Sequence, residues 1–260
     1  MTILARERER LVAEVQSTSG FDDRTVSELF EIYQTYYTSA HPDIFCRDFF
    51  SKHHVILLRD HNGLVRGFST IMSWCADTAT GPVRFLFSGD TIIERAFWGT
   101  QALPLKLLEY AGTIKAADPV HQLYWLLITK GHRTYRLMSA FAHRFFPSRR
   151  EDTPDDIQAL MRLAGKRQFG GAYCEETGIV SLVDDRSALK AEYDSDRRKN
   201  PEASFFVLKN PHYRDGDELL CLCALEYDNL RAPARTQFLK GFYSGDTNIV
   251  MGMLTQGGPS

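Results

Sequence analysis

Residues 91–103 read TIIERAFWGTQAL and carry the chain out of an apolar stretch and into a helical pattern. The stretch before them, residues 83–93, is rich in Phe and Ile and predicts a strand that carries Asp90. Residues 103–117 repeat apolar side chains at helical spacing and predict a helix. A strand that enters a helix through such a turn can present helix amides to an anion. Residues 83–117 therefore predict a strand, a turn and a helix in succession.

The segments before this passage predict helices and one hairpin. Residues 55–59 and 64–72 are apolar runs joined by an Asn-Gly pair at 62–63, which is the strongest local signal for a β-hairpin. Two helices are predicted earlier in the chain, over residues 1–15 and over residues 25–39, the second capped by Asp22 or Asp23.

The segments after the passage continue the alternation of helix and strand. Residues 123–129 predict a buried strand, and residues 134–145 predict a helix that ends before Pro147. The remaining predictions are a helix over 154–165 capped by Thr153, a hairpin within 169–183, and strands over 203–208 and 219–225.

The composition is that of an ordinary globular protein, with 43% hydrophobic and 25% charged residues and a net charge of -2. A net charge this small disfavours a general nucleic-acid binder. The sequence has five cysteines without framework spacing, which is typical of a reducing compartment. We therefore expect a cytoplasmic protein. Because no apolar stretch approaches the roughly 20 residues that span a bilayer, we expect no membrane insertion.

The order of elements over residues 25–147 resembles the core of the GNAT acyltransferases. The resemblance implies an α/β (α+β) fold, with a mixed, mainly antiparallel sheet flanked by helices. Residues 1–150 would form this core. Residues 151–260 would be a C-terminal extension, either packed into the same domain or forming a second GNAT-like half.

In that family the turn before the helix reads Q/R-x-x-G-x-G/A and binds the pyrophosphate of the cofactor. Here Gly99 matches a glycine that often precedes the motif, but Gln101 and Leu103 stand where the core Gly and the closing Gly or Ala are expected. A Cβ at these positions narrows the space for a pyrophosphate. Phe141 takes the approximate place of the family's Tyr acid. The resemblance implies an acyl-CoA, an acyl carrier protein or an acyl- or aminoacyl-tRNA as donor, with no permanently bound cofactor and no metal.

A basic segment follows the predicted strand at 123–129. No acidic residue occurs between Pro119 and Arg150, whereas Lys130, Arg133 and Arg136 lie just before and on the predicted helix. Such a basic segment can bind phosphates, or it can be a solvent-exposed helix face whose charge is balanced by the acidic run at 151–156. On the resemblance, the donor would be held by Lys130, Arg133 and Arg136 and by Thr91, Ile92, Arg95, Gly99, Thr100 and Gln101.

Acyl transfer to an amine needs a base, a group that stabilises the oxyanion and a proton for the leaving group. Asp90 and His132 are the candidate bases or acceptor-orienting groups, and Tyr135 is a candidate acid. The main-chain amides of residues 91–94 would stabilise the oxyanion. The acceptor, a small-molecule amine in a biosynthetic pathway, would contact Tyr33, Tyr37 and Glu94.

Two other functions stay open at this stage. The altered turn also suits a GNAT-like binding protein that has lost its cofactor site and catalyses nothing. A zinc enzyme would use Cys174, His212, Cys221 and Cys223, although without paired C-x-x-C spacings these cysteines are more typical of buried structural thiols.

Overall fold

The computed structural model describes residues 11–38, 40–182, 200–245, 248 and 250–251, and these form one eight-stranded sheet with helices on both faces. The strands are β1 (Val12–Ser17), β2 (His54–Arg59), β3 (Val65–Thr78), β4 (Gly81–Ile93), β5 (Gln122–Thr129), β6 (Tyr173–Cys174), β7 (Ile179–Val180) and β8 (Glu218–Ala224). Their order across the sheet is β1-β2-β3-β4-β5-β8-β7-β6. Only β4 and β5 run parallel to each other, and every other neighbouring pair is antiparallel. The sheet is therefore mixed and mainly antiparallel, as predicted.

The helices are α1 (Asp23–Tyr36), α2 (Pro42–Ser51), α3 (Ala102–Ala117), α4 (His132–Phe141), α5 (Asp155–Phe169), α6 (Pro201–Lys209) and α7 (Ala232–Tyr243). Helices α3, α4, α6 and α7 share one apolar cluster with one face of the sheet, which we call the front face. Helices α1, α2 and α5 pack on the opposite side, the back face. Among the residues that the structure describes, no helix combines the length and apolar character needed to cross a bilayer.

The central strands are buried on both faces because their apolar side chains alternate between the two helical layers. On β2, Ile56 points to the front cluster whereas Leu57 points to the back cluster. On β4, Leu86 points to the front and Phe85 to the back. This two-residue period is why the strands read as continuous apolar runs in the sequence.

The regular pairing of β4 is interrupted near its C-terminal end. On the β3 side, Ser69 pairs with Thr91 but Ile71 pairs with Ser88, so β4 has one more residue than β3 in this interval, a β-bulge at Gly89 and Asp90. On the β5 side, the parallel pairing ends at Ser88 and Leu127, although β4 continues to Ile93. The sheet is therefore open between the ends of β4 and β5.

Most of the strong sequence signals correspond to observed elements. The hairpin around the Asn-Gly pair joins β2 to β3, and the predicted strands at 83–93, 123–129 and 219–225 correspond to β4, β5 and β8. The Asp22 side chain accepts a hydrogen bond of 2.8 Å from the Thr25 amide, so the predicted cap of α1 is confirmed.

Other predictions were wrong, for identifiable reasons. Residues 203–208 belong to helix α6 and not to a strand, because the Asn200 side chain accepts hydrogen bonds from the amides of Glu202 and Ala203 and starts the helix. Residues 12–15, predicted as helix, lie in β1 because they pair with β2. Residues 1–10 of that predicted helix lie outside the described residues.

The ends of two helices also differ from the prediction. Helix α4 ends at Phe141, four residues before the predicted end, and the backbone of Phe146 forms a bridge with Leu222 of β8. Helix α5 has Pro154, not Thr153, at its N-cap. Helices α2 and α7 were not predicted.

Helices α3 and α7 approach each other closely where two glycines face each other. A Cβ on Gly112 would lie 1.9 Å from the Phe238 carbonyl oxygen, and a Cβ on Gly241 would lie 1.7 Å from the Glu109 carbonyl oxygen. Both obstacles are backbone atoms, so a side-chain rotation cannot relieve the clash. The crossing therefore requires glycine at both positions.

We expect Gly112→Ala and Gly241→Ala each to lower the free energy of unfolding by about 3 kcal/mol, because an added methyl group would force the two helices apart. Urea unfolding measures this effect. The control is Gly20→Ala, whose new methyl group would have no atom within 4 Å. Equal unfolding midpoints for the control and Gly112→Ala would show that the crossing tolerates a side chain.

Candidate functional site

A cavity of about 1450 Å³ occupies the opening between β4 and β5 and extends to both faces of the sheet. Its front part, which we call the front compartment, is bordered by the start of α3 and by α4. Its back part, the back compartment, lies between α1 and α2 on one side and the end of α5 on the other. Because single-ligand pockets usually measure about 300–1000 Å³, this cavity has room for two ligands that meet at the opening.

Asp90 lies at the junction of the two compartments, in the β4 bulge. Gly89, the first residue of the bulge, packs closely against β3, since a Cβ on it would lie 2.5 Å from Thr70 Oγ1. Burial and the negative charge of the nearby Asp48 raise the pKa of Asp90 to about 7, with Lys52 and Lys130 acting in the opposite direction. A carboxyl with such a pKa can accept a proton near neutral pH.

Two buried lysines flank the junction, and each has a carboxylate partner. Lys52 Nζ pairs with the Asp48 carboxylate at the end of α2. Lys130 Nζ lies 3.6 Å from the Glu218 carboxylate at the start of β8. The junction therefore contains three carboxylates and two ammonium groups, because Asp90 adds the third carboxylate.

The front compartment begins at the turn between β4 and α3. Gly99 has a φ of +91°, a conformation that suits glycine, and it lines the cavity next to Trp98 and Thr100. At the start of α3, Gln101 makes no side-chain cap, and Pro104 contributes no amide hydrogen. This helix start consequently offers fewer amide donors to a phosphate than a glycine-rich turn would.

Helix α4 supplies the positive charge of the front compartment. Arg133 and Arg136 on the helix line the cavity, and Lys130 before the helix lines it at the junction. The Arg133 guanidinium carbon lies 4.4 Å from the centroid of the Trp98 ring, a stacked cation–π contact that holds this side chain at the cavity wall. None of the ion pairs within the described ranges involves Arg133 or Arg136.

His132 and Tyr135 lie on the opposite side of α4 and point into the core. Both are fully buried and, among the described residues, neither is part of the cavity wall. The Tyr135 hydroxyl donates a hydrogen bond of 2.9 Å to the Pro147 carbonyl, and burial raises the pKa of Tyr135 well above its usual value. Helical spacing explains this burial, because His132, Tyr135, Met138 and Phe141 recur every three residues and form the buried side of α4.

The turn after β4 directs two other predicted residues away from the cavity. The Glu94 carboxylate lies 3.3 Å from the Arg66 guanidinium on β3. The Arg95 amide donates to the Tyr36 hydroxyl at 2.7 Å, and its guanidinium carbon lies 5.9 Å from the centroid of the Trp98 ring. Neither residue is among the described residues that line the cavity. The predicted turn residues that do line it are Thr91, Ile92, Gly99, Thr100 and Gln101.

Aromatic rings line the back compartment from several elements. Tyr33 and Tyr37 stack on each other with ring centroids 4.6 Å apart, and both line the cavity. Tyr36 of the same helix also lines the cavity, and residues that the sequence reasoning did not single out complete this compartment: Phe45, Phe87, Phe169 and Tyr173. A signal for Phe45 was present, since Pro42 at a helix start and the spacing of Phe45 and Phe49 indicate helix α2.

The cysteines and histidine of the predicted zinc alternative are not close together. Cys221 and Cys223 are buried in the front cluster, where burial raises the pKa of Cys223 to about 12 and also raises that of Cys221. Cys174 is exposed and donates to the Glu176 carboxylate, and His212 is exposed beside Asp215. Within the described parts of the chain, no potential metal-binding group contains any of these four residues.

No protein-family model and no curated protein matches this sequence. Solved structures to which the chain is similar include a conserved protein of unknown function from Enterococcus faecalis, described as a probable N-acyltransferase, at 9% identity and a TM-score of 0.37. That match covers 52% of this chain and 33% of the Enterococcus chain.

Two other similar structures were determined with a ligand. Arabidopsis thaliana NAA60 in complex with acetyl-CoA has 12% identity and a TM-score of 0.37, with 52% of this chain and 87% of that chain covered. The GNAT family N-acetyltransferase YhbS from Escherichia coli, in complex with CoA, has 14% identity and a TM-score of 0.33, with 50% and 69% covered. These matches include GNAT N-acetyltransferases, the family that the sequence resembles.

We expect Asp90→Asn to stabilise the chain more at pH 7 than at pH 4. The pKa of Asp90 is raised from 3.8 to about 7 on folding. Between these pH values the carboxyl ionises in the unfolded chain but stays protonated in the folded chain. Ionisation therefore stabilises the unfolded chain and lowers the free energy of unfolding of the wild type as pH rises. The melting temperature of the variant should exceed that of the wild type by a few degrees at pH 7, and the difference should level off at higher pH. A difference that is constant between pH 4 and pH 8, or equal to that of the exposed control Asp77→Asn, would contradict this assignment.

Proposed function

We propose that this chain is an N-acyltransferase that moves an acyl group from a phosphate-bearing carrier to a small-molecule amine. The observation that carries the proposal is the position of Asp90, at the junction of two compartments. The front compartment is lined by two arginines that have no ion-pair partner among the described residues, and the back compartment is lined by aromatic rings. Donor and acceptor can enter from opposite faces of the sheet and meet beside a carboxylate that is able to take a proton.

The proposed reaction uses direct attack. Asp90 accepts one proton from the ammonium form of the acceptor, and the resulting amine nitrogen forms a bond to the acyl carbonyl carbon. Main-chain amides of residues 91–93, where β4 no longer pairs with β5, stabilise the charge on the carbonyl oxygen. The Glu94 amide, part of the predicted set, is not available because it donates to the Arg66 carbonyl. The bond between the carbonyl carbon and the carrier's sulfur or oxygen then breaks, and the departing group takes up the second proton that the nitrogen loses.

The front compartment supports a donor whose phosphates are bound mainly by side chains. Arg133 and Arg136 provide charge-assisted donors, while the start of α3 lacks the bare amides of a glycine-rich turn. An acyl-CoA fits this site, and so does the phosphopantetheine arm of an acyl carrier protein or the end of an acylated tRNA. Incubation of the chain with each donor class and a panel of amines, followed by mass spectrometry of the products, distinguishes these donors.

Asp90→Asn should lower kcat/KM at least 100-fold, because general-base catalysis typically contributes a factor of about 10²–10⁴. In the wild type, kcat/KM should rise with pH as the carboxyl ionises, with an apparent pKa of about 7. The variant should lose this rise. Asp77→Asn, at the far end of β3, serves as the matched control and should keep the wild-type profile. An unchanged pH profile in Asp90→Asn would remove Asp90 from the mechanism.

Arg133→Ala and Arg136→Ala should each raise the KM for the donor about 10-fold or more, because each change removes a charge-assisted hydrogen bond to a phosphate. Their KM for the acceptor should change little. Steady-state kinetics with the donor varied at a fixed amine concentration measures the effect. Arg162→Ala, an exposed change on α5, is the control. Wild-type donor KM values in both variants would show that phosphates bind elsewhere.

The start of α3 favours a second candidate, a binding protein without catalysis. Leu103 and Pro104 at the cavity wall reduce the space and the amide donors available to a pyrophosphate. A chain of this kind would show a ligand-dependent rise in melting temperature with CoA, acyl-CoA, carrier protein or tRNA but would form no product.

A further inference from the structure

The back compartment presents aromatic side chains on several of its walls. Tyr33, Tyr37 and Phe45 come from α1 and α2, whereas Phe169 and Tyr173 come from the end of α5 and from β6. Phe87 of β4 lies in the same cavity wall and contacts Phe169 edge-on, with ring centroids 5.7 Å apart. A flat apolar ligand between these walls would bury its faces against aromatic rings.

Two of these rings already face an ammonium group. Lys52 Nζ lies 6.0 Å from the centroid of the Phe87 ring, and Lys130 Nζ lies 5.3 Å from that of Tyr37. Both distances are typical of cation–π contacts. On the side of the compartment nearest Asp90, aromatic rings therefore already stabilise two alkylammonium groups of the protein.

The ion pairs of Lys52 and Lys130, together with Asp90, disfavour an acceptor that carries its own carboxylate. The ammonium groups of Lys52 and Lys130 are engaged with Asp48 and Glu218. A ligand carboxylate would have to displace one of these partners, and it would lie close to a third carboxylate, that of Asp90. The arginines of the cavity lie in the front compartment and serve the donor.

We propose that the acceptor is a primary amine that carries an aromatic ring and no carboxylate. Its ring occupies the back compartment and its nitrogen reaches Asp90 at the junction. This inference rests on the proposed acyl transfer, and it adds a property that the transfer alone does not require, namely selection for the ring and against the carboxylate.

The test compares three amines on the wild-type chain: 2-phenylethylamine, butylamine, which lacks the ring, and phenylalanine, which adds a carboxylate. Titration calorimetry without any donor measures binding, and mass spectrometry with the donors named above measures product. We expect 2-phenylethylamine to bind at least 10-fold more tightly than either of the others and to be the preferred acceptor. Its affinity should fall at least 10-fold in Asp90→Asn.

The outcomes separate the two proposals. Preferred binding or acylation of butylamine or phenylalanine would overturn the aromatic acceptor while leaving acyl transfer intact. Tight binding of 2-phenylethylamine without product from any donor would overturn acyl transfer but support the selectivity of the compartment. Binding of none of the three amines would overturn the aromatic acceptor, and the search for product among other amines would then decide the transfer reaction.

Discussion

The separation of β4 from β5 after Ser88 and Leu127 is the constraint on which the site depends. Parallel strands that stay paired would close the sheet and fill the space with side chains. Here the bulge at Gly89 and Asp90 ends the pairing with β5 while β4 stays paired with β3 on its other edge. This single bulge in β4 thus creates the opening between β4 and β5 and places the Asp90 carboxylate in it.

The two sides of this opening carry different charges. Arginine side chains from α4 line its front part, whereas its back part combines aromatic rings with carboxylates. Because the sheet lies between these two regions, the proposed anionic carrier and cationic acceptor would bind on opposite sides without competing for the same groups. Asp90, with a pKa raised to about 7 by burial and by Asp48, lies where the two regions meet.

The sequence predicted the elements with strong local signals and missed those that depend on tertiary contacts. The Asn-Gly hairpin, the strands β4 and β5 and the arginine edge of α4 all follow from short-range patterns. Residues 203–208 look like a strand because of their apolar run, but Asn200 starts a helix there. His132 and Tyr135 were plausible by residue type, yet helical spacing buries them. The aromatic residues from α2 and α5 reach the cavity through packing that no local pattern encodes.

The glycine crossing between α3 and α7 has a consequence for how ligands enter. The N-terminal end of α3 borders the front compartment. Further along the same helix, at Gly112, the backbone of α3 is in direct contact with the backbone of α7 at Gly241. Sliding or tilting α3 would break this backbone contact, so that wall is held at a fixed position. Widening of the front compartment for the proposed carrier can instead come from the opposite wall, where Arg133 and Arg136 are long side chains that can change rotamer while the backbone of α4 stays in place.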